Sequence, residues 1–306
     1  VRENRCGALH TLVYGRLVAC NVDPIEKKPL FHVFPGSLSF SIATAGCNFR
    51  CSHCQNYSIS QVPRDAGAIP GQFTTPEAVV AAAREGGCRS ISYTYTEPTV
   101  FFEFALDCMR LAREAGLLNV FVTNGYMTGE ALEKALPWLD AANVDLKAMS
   151  DHFYREVCGA RVGPVLETIR ELRHRGIWIE VTTLVIPHHN DSAEELRDIA
   201  RFLVSVAPDV PWHVTGFYPT YRLESEPPTP ASALEAARRV GLDEGLHYVY
   251  SGNRPGRGGE DTLCPACGAV AIGRRGFSVT RLGLSGDATC HSCGRSVAGL
   301  YSGGVS

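Results

Sequence analysis

The sequence has no apolar run approaching the roughly 18 residues needed to cross a bilayer, and no charged-then-apolar leader. Neither a membrane span nor a signal peptide is therefore expected. A surplus of charge is also missing, since 29 basic residues face 32 acidic ones in a chain of 306. That balance argues against a dedicated nucleic-acid binder or a polybasic membrane protein, and a soluble cytoplasmic protein is expected. Internal repeats and long low-complexity tracts are absent. A chain of this length can bury an ample core without disulfides. One absence is local. The stretch AGCNFRCSHCQNYSIS, from Ala45 to Ser60, holds Cys47, Cys51 and Cys54 among asparagine, histidine and glutamine, but no fourth cysteine.

The twelve cysteines are not spread as a secreted disulfide framework would spread them. Seven fall into two tight groups, Cys47, Cys51 and Cys54, then Cys264, Cys267, Cys290 and Cys293. Such clustering favours metal. Cys6, Cys20, Cys88, Cys108 and Cys158 stand alone and read as buried or incidental thiols, because free cysteine packs as a small hydrophobe.

From about 38 to 219, short β-branched runs alternate with amphipathic helical runs, the pattern of parallel strands joined by crossover helices. Strands are predicted at 38–44, 90–96, 119–124, 143–147, 177–186 and 212–218. Six are too few for a closed eight-stranded barrel. Helices fill the gaps, one opening with Thr75 as N-cap before Pro76 and another ending at Gly116. A later helix leads into HYVYSGN, which could add a strand. The run GNRPGRGGEDT then turns abruptly to glycine and charge and marks a boundary. The expected organisation is an N-terminal extension over 1–36, an α/β barrel domain over 37–252 and a metal-binding module over 253–306.

Cys47, Cys51 and Cys54 follow C-x3-C-x2-C spacing just beyond the first predicted strand, at the end where α/β folds build ligand sites. A 4Fe-4S cluster normally takes four thiolates, so three supplied locally leave one iron open. The spacing resembles that of radical SAM enzymes. In that superfamily the amino and carboxylate groups of S-adenosylmethionine (SAM) chelate the open iron. An electron from the cluster then cleaves the sulfonium to a 5′-deoxyadenosyl radical. The resemblance implies a partial (β/α)6, TIM-like barrel, a 4Fe-4S cluster on the three cysteines, and an electron donor such as ferredoxin or flavodoxin. The alternative for the loop is a structural zinc, which would want four ligands and could recruit His53.

YTYTEPT stands where superfamily members carry a glycine-glycine-glutamate segment that holds the SAM amino group. Tyr95, Thr96 and Glu97 occupy its place with both glycines replaced, and either Thr96 or Glu97 could make the contact. Glu97 reads alternatively as a first-turn carboxylate on its helix. Thr123 and Asn124, ending the third predicted strand, could bond ribose hydroxyls or the SAM carboxylate. Asp145 and Lys147 in VDLK resemble the Asp-Leu-Lys of glycyl-radical-enzyme activases, where the lysine helps hold SAM; a buried ion pair is the alternative. Those activases carry an arginine near Thr182 and a histidine near Tyr218, so a different grip on the carboxylate is implied.

The likeness runs from VRENRCG through DPIEKKPLFHVFPGS, GCNFRCSHCQN, SYTYTEP, PWHVTGFYP and YVYSGN to the last cysteines. Over nearly its full length the chain resembles the radical SAM enzyme of the AmmeMemoRadiSam system, a relative of pyruvate formate-lyase activating enzyme. Members usually begin with a further cysteine-rich segment before the VRENRCG position, expected here to be trimmed or absent. The system's name implies partners with Ammecr-type and Memo-type domains. Asp23, Glu26, Lys27, Lys28 and His32 make a charged stretch before the first predicted strand. Solvated loop charge is its usual meaning, and a structural role is favoured over a functional one, although the resemblance places it beside the active-site mouth.

CPAC and CHSC stand 22 residues apart and read as a zinc ribbon or rubredoxin-like site for Zn or Fe. RRGFSVTRLGL between them reads as a hairpin. A module of about 40 residues with so little apolar core would depend on its metal to fold. Arg274, Arg275 and Arg281 could touch phosphates, but docking or structure is the preferred role. A redox iron feeding the cluster is a further reading. The expected function is reductive SAM cleavage with hydrogen abstraction from an unidentified substrate. A glycyl-radical-enzyme activase is the alternative. From another class, the chain could be a zinc-ribbon nucleic-acid binder on an inactive barrel.

Overall fold

A computed structural model describes residues 1–253 and 259–301. The middle of the expected boundary run, 254–258, and the end of the expected C-terminal module, 302–306, lie outside the described residues.

The chain opens with a hairpin of β1 (Arg2–Arg5) and β2 (Ala8–Thr11) and then enters a nine-stranded sheet. In chain order its strands are β3 (Arg16–Pro24), β4 (Leu38–Thr44), β5 (Gln72–Phe73), β6 (Ser90–Tyr93), β7 (Leu118–Thr123), β8 (Ala141–Asp145), β9 (Trp178–Val185), β10 (Trp212–Gly216) and β11 (Val249–Gly252). Their order across the sheet is β11-β10-β9-β8-β7-β6-β4-β3-β5. Pairings from β4 to β11 are parallel, and β3 and β5 form an antiparallel edge. The six expected parallel strands are present, and HYVYSGN adds β11. The second ends sooner than expected, because Tyr95 takes a left-handed φ of 64° and turns the chain out of the sheet.

Crossover helices cover the outer face. Thr75 accepts a hydrogen bond from the Ala78 N–H, as its N-cap role requires, and helix Pro76–Glu85 turns Val79, Val80 and Ala83 inward. Period-two alternation sends Phe40, Ile42, Ile91, Val144, Val181 and Val214 to this helix-covered core. Their neighbours Ser39, Ser41, Ser92, Asn143, Glu180 and His213 face the other way and are also buried. The barrel interior is therefore largely polar.

Residues 25–37 close the N-terminal end of this interior. Ile25, Leu30, Val33 and Phe34 pack on Leu118, Ala141 and Trp178, which begin β7, β8 and β9. Glu180 accepts hydrogen bonds from the Phe31 and His32 amides at 2.9 and 2.8 Å and pairs with His213 Nε2 at 2.6 Å. The charge expected to be solvated here is instead interior. Asp23, Glu26, Lys28 and His32 are each at most 5% exposed, because every one has a partner, and Lys27 alone of the five faces water. Residues 1–36 are thus built into the barrel sheet through β3, whose pairs with β4 run from Leu17 to Pro24.

The C-terminal module is a three-stranded antiparallel sheet of β12 (Thr262–Leu263), β13 (Val270–Arg275) and β14 (Ser278–Leu282), the last two forming the expected hairpin. It docks under the closed end. Ala271, Ile272, Leu284 and Val297 share an apolar cluster with Phe31, Tyr248 and Tyr250. Leu300 exchanges backbone hydrogen bonds with the closing loop, 2.7 Å from the Phe34 N–H and 2.7 Å to the His32 carbonyl. Arg274, for which a docking or structural role is preferred over a phosphate contact, is only 7% exposed. Its guanidinium donates to Phe31 O at 2.5 Å and Thr262 Oγ1 at 2.8 Å, so it has no reach toward a phosphate.

Candidate active site

Parallel strands deliver their C-terminal ends to one face, and the loops after β4, β6, β7 and β8 carry the expected site residues there. In the first of these loops Cys51 is buried while Cys47 and Cys54 are half-buried. The Phe49 N–H points at Cys47 Sγ from 3.4 Å, and Asn124 Nδ2 approaches the same sulfur at 3.7 Å. Asn124 Nδ2 also donates to Asn48 Oδ1 at 2.7 Å, while Asn48 Nδ2 donates to the Tyr126 carbonyl at 3.1 Å. Cys54 Sγ lies 3.1 Å from Ser60 Oγ. Three cysteine sulfurs on one loop, one of them facing the Phe49 and Asn124 N–H donors, are a donor set that fits a polynuclear cluster.

Glu97 has no exposed surface. Its carboxylate accepts from Thr123 Oγ1 at 2.8 Å, the Asn124 N–H at 2.8 Å and the Thr99 N–H at 3.1 Å. Burial pushes its pKa up to about 6 against the pull of those bonds. Glu97 therefore bolts the loop after β6 to the end of β7, and Thr123 is spent as one of its donors. Thr96 Oγ1 donates to the Thr44 carbonyl at 2.9 Å, tying the same loop to β4.

Lys147 and Asp145 pair at 3.1 Å, with side chains 14% and 38% exposed. Burial alone would lower the lysine, yet Asp145 and the thiols of Cys51 and Cys158 hold it well above its ordinary range. Lys147 thus stands as a fixed cation beside the cysteine loop. Thr182, where activases carry arginine, donates to Asn143 Oδ1 at 2.9 Å and lies deeper in the interior.

The structure joins Cys47, Asn124 and Glu97 into one connected set and brings Lys147 to the Cys51 side of it. Two contributors were not visible in the sequence. Asn48 anchors the loop to Asn124. Cys158, expected to be a solitary thiol, lies beside Cys51; no local signal marks it, since only folding brings its turn to the loop.

At the opposite end of the barrel, Cys264 and Cys293 place their sulfurs 3.6 Å apart, and Cys267 and Cys290 place theirs 3.8 Å apart. Four sulfurs at about 2.3 Å from one tetrahedral ion would stand about 3.8 Å from each other. All four lie within 4.8 Å, so this group can hold a single metal ion. Strand β4 alone places about 20 Å between the two cysteine groups.

An open α/β barrel with cysteines and convergent polar groups over the C-terminal ends of its strands is the architecture of an enzyme. More narrowly, residues 41–203 match the radical SAM superfamily, and the chain belongs to it. It is 47% identical to an uncharacterized protein of Methanocaldococcus jannaschii over 97% of this chain and 88% of that one. It is 28% identical to the isethionate sulfite-lyase activating enzyme of Oleidesulfovibrio alaskensis over 54% of this chain and 57% of that enzyme. With the pyruvate formate-lyase-activating enzyme of Clostridium pasteurianum it shares 24% identity over 53% of this chain and 67% of that one. Streptococcus suis SuiB bound to S-adenosylmethionine has the same fold over 75% of this chain and 53% of its own, with a TM-score of 0.55 at 13% identity.

Proposed function

We propose that the chain cleaves SAM reductively and uses the resulting radical to take hydrogen from an unidentified substrate, as the radical SAM enzyme of an AmmeMemoRadiSam system. The observation that carries this is the three-cysteine loop over the C-terminal strand ends, with the Asn124 amide against Cys47 and the Lys147 cation beside Cys51. Cys47, Cys51 and Cys54 would hold a 4Fe-4S cluster with one iron left for SAM. When bound, that cluster supplies the electron that splits SAM into methionine and a 5′-deoxyadenosyl radical.

The chain's own groups position the substrate. Lys147, with Asp145 as its partner, offers its charge to the SAM carboxylate, and Asn124 orients both the loop and the ligand. Thr96 and the backbone around Tyr95 would accept hydrogen bonds from the SAM amino group. The Glu97 carboxylate, already filled by three hydrogen-bond donors, acts by holding Asn124 and the loop after β6 in place.

Likeness to the two activating enzymes covers little more than half of this chain, whereas the M. jannaschii relative matches it nearly end to end. That supports shared radical-forming chemistry more than a shared protein target. An activase remains the second reading. The four-cysteine group would hold Zn or Fe as a structural ribbon-like floor. Its place at the far end of a packed barrel favours this over electron delivery, because electronic coupling decays steeply with distance. Ferredoxin or flavodoxin would then reduce the first cluster directly, and Ammecr-type and Memo-type proteins would be partners.

Anaerobic reconstitution followed by dithionite tests the reading. Methionine and 5′-deoxyadenosine should appear, and Cys51→Ala should abolish the visible cluster absorption while leaving the C-terminal metal bound. No SAM cleavage from a fully loaded cluster would sink both enzymatic readings. A lasting glycyl radical on a partner protein, seen by electron paramagnetic resonance, would favour the activase.

A further inference from the structure

Cys51, His53 and Cys158 place two sulfurs and a ring nitrogen within 4.8 Å of one another, and the three residues are 7%, 3% and 0% exposed. The fold builds this set, not the cysteine spacing. On both sides of Cys51 the backbone is clipped to the turn that carries Cys158: the Arg50 N–H donates to the Cys158 carbonyl at 2.8 Å and the Ser52 N–H to the Val157 carbonyl at 2.8 Å. That turn, Tyr154–Cys158, is π-helical and closes on Gly159 at a left-handed φ of 68°. Such turns are rare and recur at functional sites. The His53 ring lies 6.2 Å from that of Phe153, which leads into the same turn. Its Nδ1 is buried without a hydrogen-bond partner among the described residues, an exception in a folded chain that calls for a reason.

We propose that Cys51, His53 and Cys158 form a separate mononuclear metal site, which takes a divalent ion of the Zn2+ or Fe2+ class while the cluster is absent. Two thiolates and an imidazole suit those ions. No carboxylate belongs to the set, so Mg2+ and Ca2+ would lack the oxygen ligands they require. Tetrahedral ligand atoms at about 2.0–2.3 Å from an ion stand roughly 3.5 Å apart, so the three atoms need to close by only on the order of 1 Å. Binding sends the two thiol protons to solvent, gives the imidazole nitrogen its partner and leaves the fourth position to water. Cys51 belongs to both donor sets, so ion and cluster exclude each other. That exclusion, unlike the site itself, rests on the proposed assignment of Cys51 to the cluster. The ion keeps Cys51 ligated until the cluster is built.

Co2+ is the probe, because tetrahedral thiolate-bound cobalt absorbs in the visible. Chelator-stripped, reduced, full-length protein is titrated anaerobically, comparing wild type with Cys158→Ala, His53→Gln and Cys47→Ala, and thermal unfolding checks that each variant folds. Wild type should bind two equivalents, one at the C-terminal four-cysteine group and one at the new site. Cys47→Ala should keep both. Cys158→Ala should lose the second, and His53→Gln should bind it at least tenfold more weakly. If wild type has no equivalent that depends on both Cys158 and His53, the site is overturned; an equivalent lost instead in Cys47→Ala would place the ion among the spaced cysteines and overturn it as well. Building the cluster in wild type should expel the second equivalent. A cluster-loaded protein that still binds both would overturn the exclusion and remove Cys51 from the cluster while the site stands, so the two assignments fail separately.

Discussion

Lys28 Nζ lies 2.7 Å from Asp23 Oδ2, with side chains only 2% and 7% exposed. This pair ties the loop that closes the barrel to β3 and, through the Tyr95 hydroxyl on the same carboxylate, to the segment leading into Thr96 and Glu97.

Removing the lysine leaves a buried carboxylate served by Lys27, whose side chain is 43% exposed. Lys28→Met should therefore cost about 3 kcal/mol in urea unfolding, whereas Lys27→Met should cost under about 1 kcal/mol. Equal effects would mean that the two lysines share the load. Burial opposes ionisation of Asp23, but Lys27, Lys28 and Tyr95 together hold its carboxyl well below the usual range. Its contribution is full above the unfolded carboxylate pKa of about 4 and fades as the pH falls below it.

His32 works in a milder acid window. Burial holds it neutral, with its pKa pushed from 6.5 down to about 4 despite the nearby Glu180 charge. Its ring nitrogens lie 2.6 Å from Tyr250 Oη and 2.6 Å from the Ala298 carbonyl. The unfolded chain takes up the proton first as pH falls, so stability should drop between about pH 6.5 and 4 and level off below. The loss is on the order of 3 kcal/mol. His32→Gln should flatten that part of the stability profile, and an unchanged slope would assign the acid lability to another group.

Loss of the C-terminal metal should loosen the floor and leave the opposite end intact. Cys267→Ser, at an exposed ligand position, is expected to release metal and open the module to trypsin. Because the module supports the closing loop through Leu300 and Arg274, overall unfolding should come earlier as well. Absorption and midpoint potential of the first cluster should stay as in wild type. A shifted potential would revive the electron-delivery reading.

Lys147→Met should weaken SAM binding by about 1.5–3 kcal/mol, the worth of one charge-assisted hydrogen bond, with cluster iron unchanged. Equilibrium binding to the loaded protein checks this. Unaltered affinity would make the Lys147–Asp145 pair structural.

Much of the frame was legible because it depends on local rules. Thr75 ahead of Pro76 caps a helix through its own side chain, β-branched runs at 38–44 and 177–186 form strands, and RRGFSVTRLGL folds back as β13 and β14. Cysteine spacing is equally local, so both cysteine groups could be read from it as candidate metal sites, and parallel strands then imply that Thr96, Asn124 and Lys147 share a face with Cys47. The role of Glu97 was less legible, since its three donors come from the chain around Thr99 and from the end of β7.

The sequence by itself determined which residues bear chemistry and the order in which strands and helices deliver them, because capping, alternation and ligand spacing act over a few residues. Only the tertiary structure decided that Cys158 lies beside Cys51, that Asp23, Lys28 and His32 go inside, and that the four-cysteine group sits across the barrel from the three-cysteine loop. A charged residue is buried only when its partners arrive from distant parts of the chain to repay its lost hydration, and those meetings exist only once the barrel has closed around them.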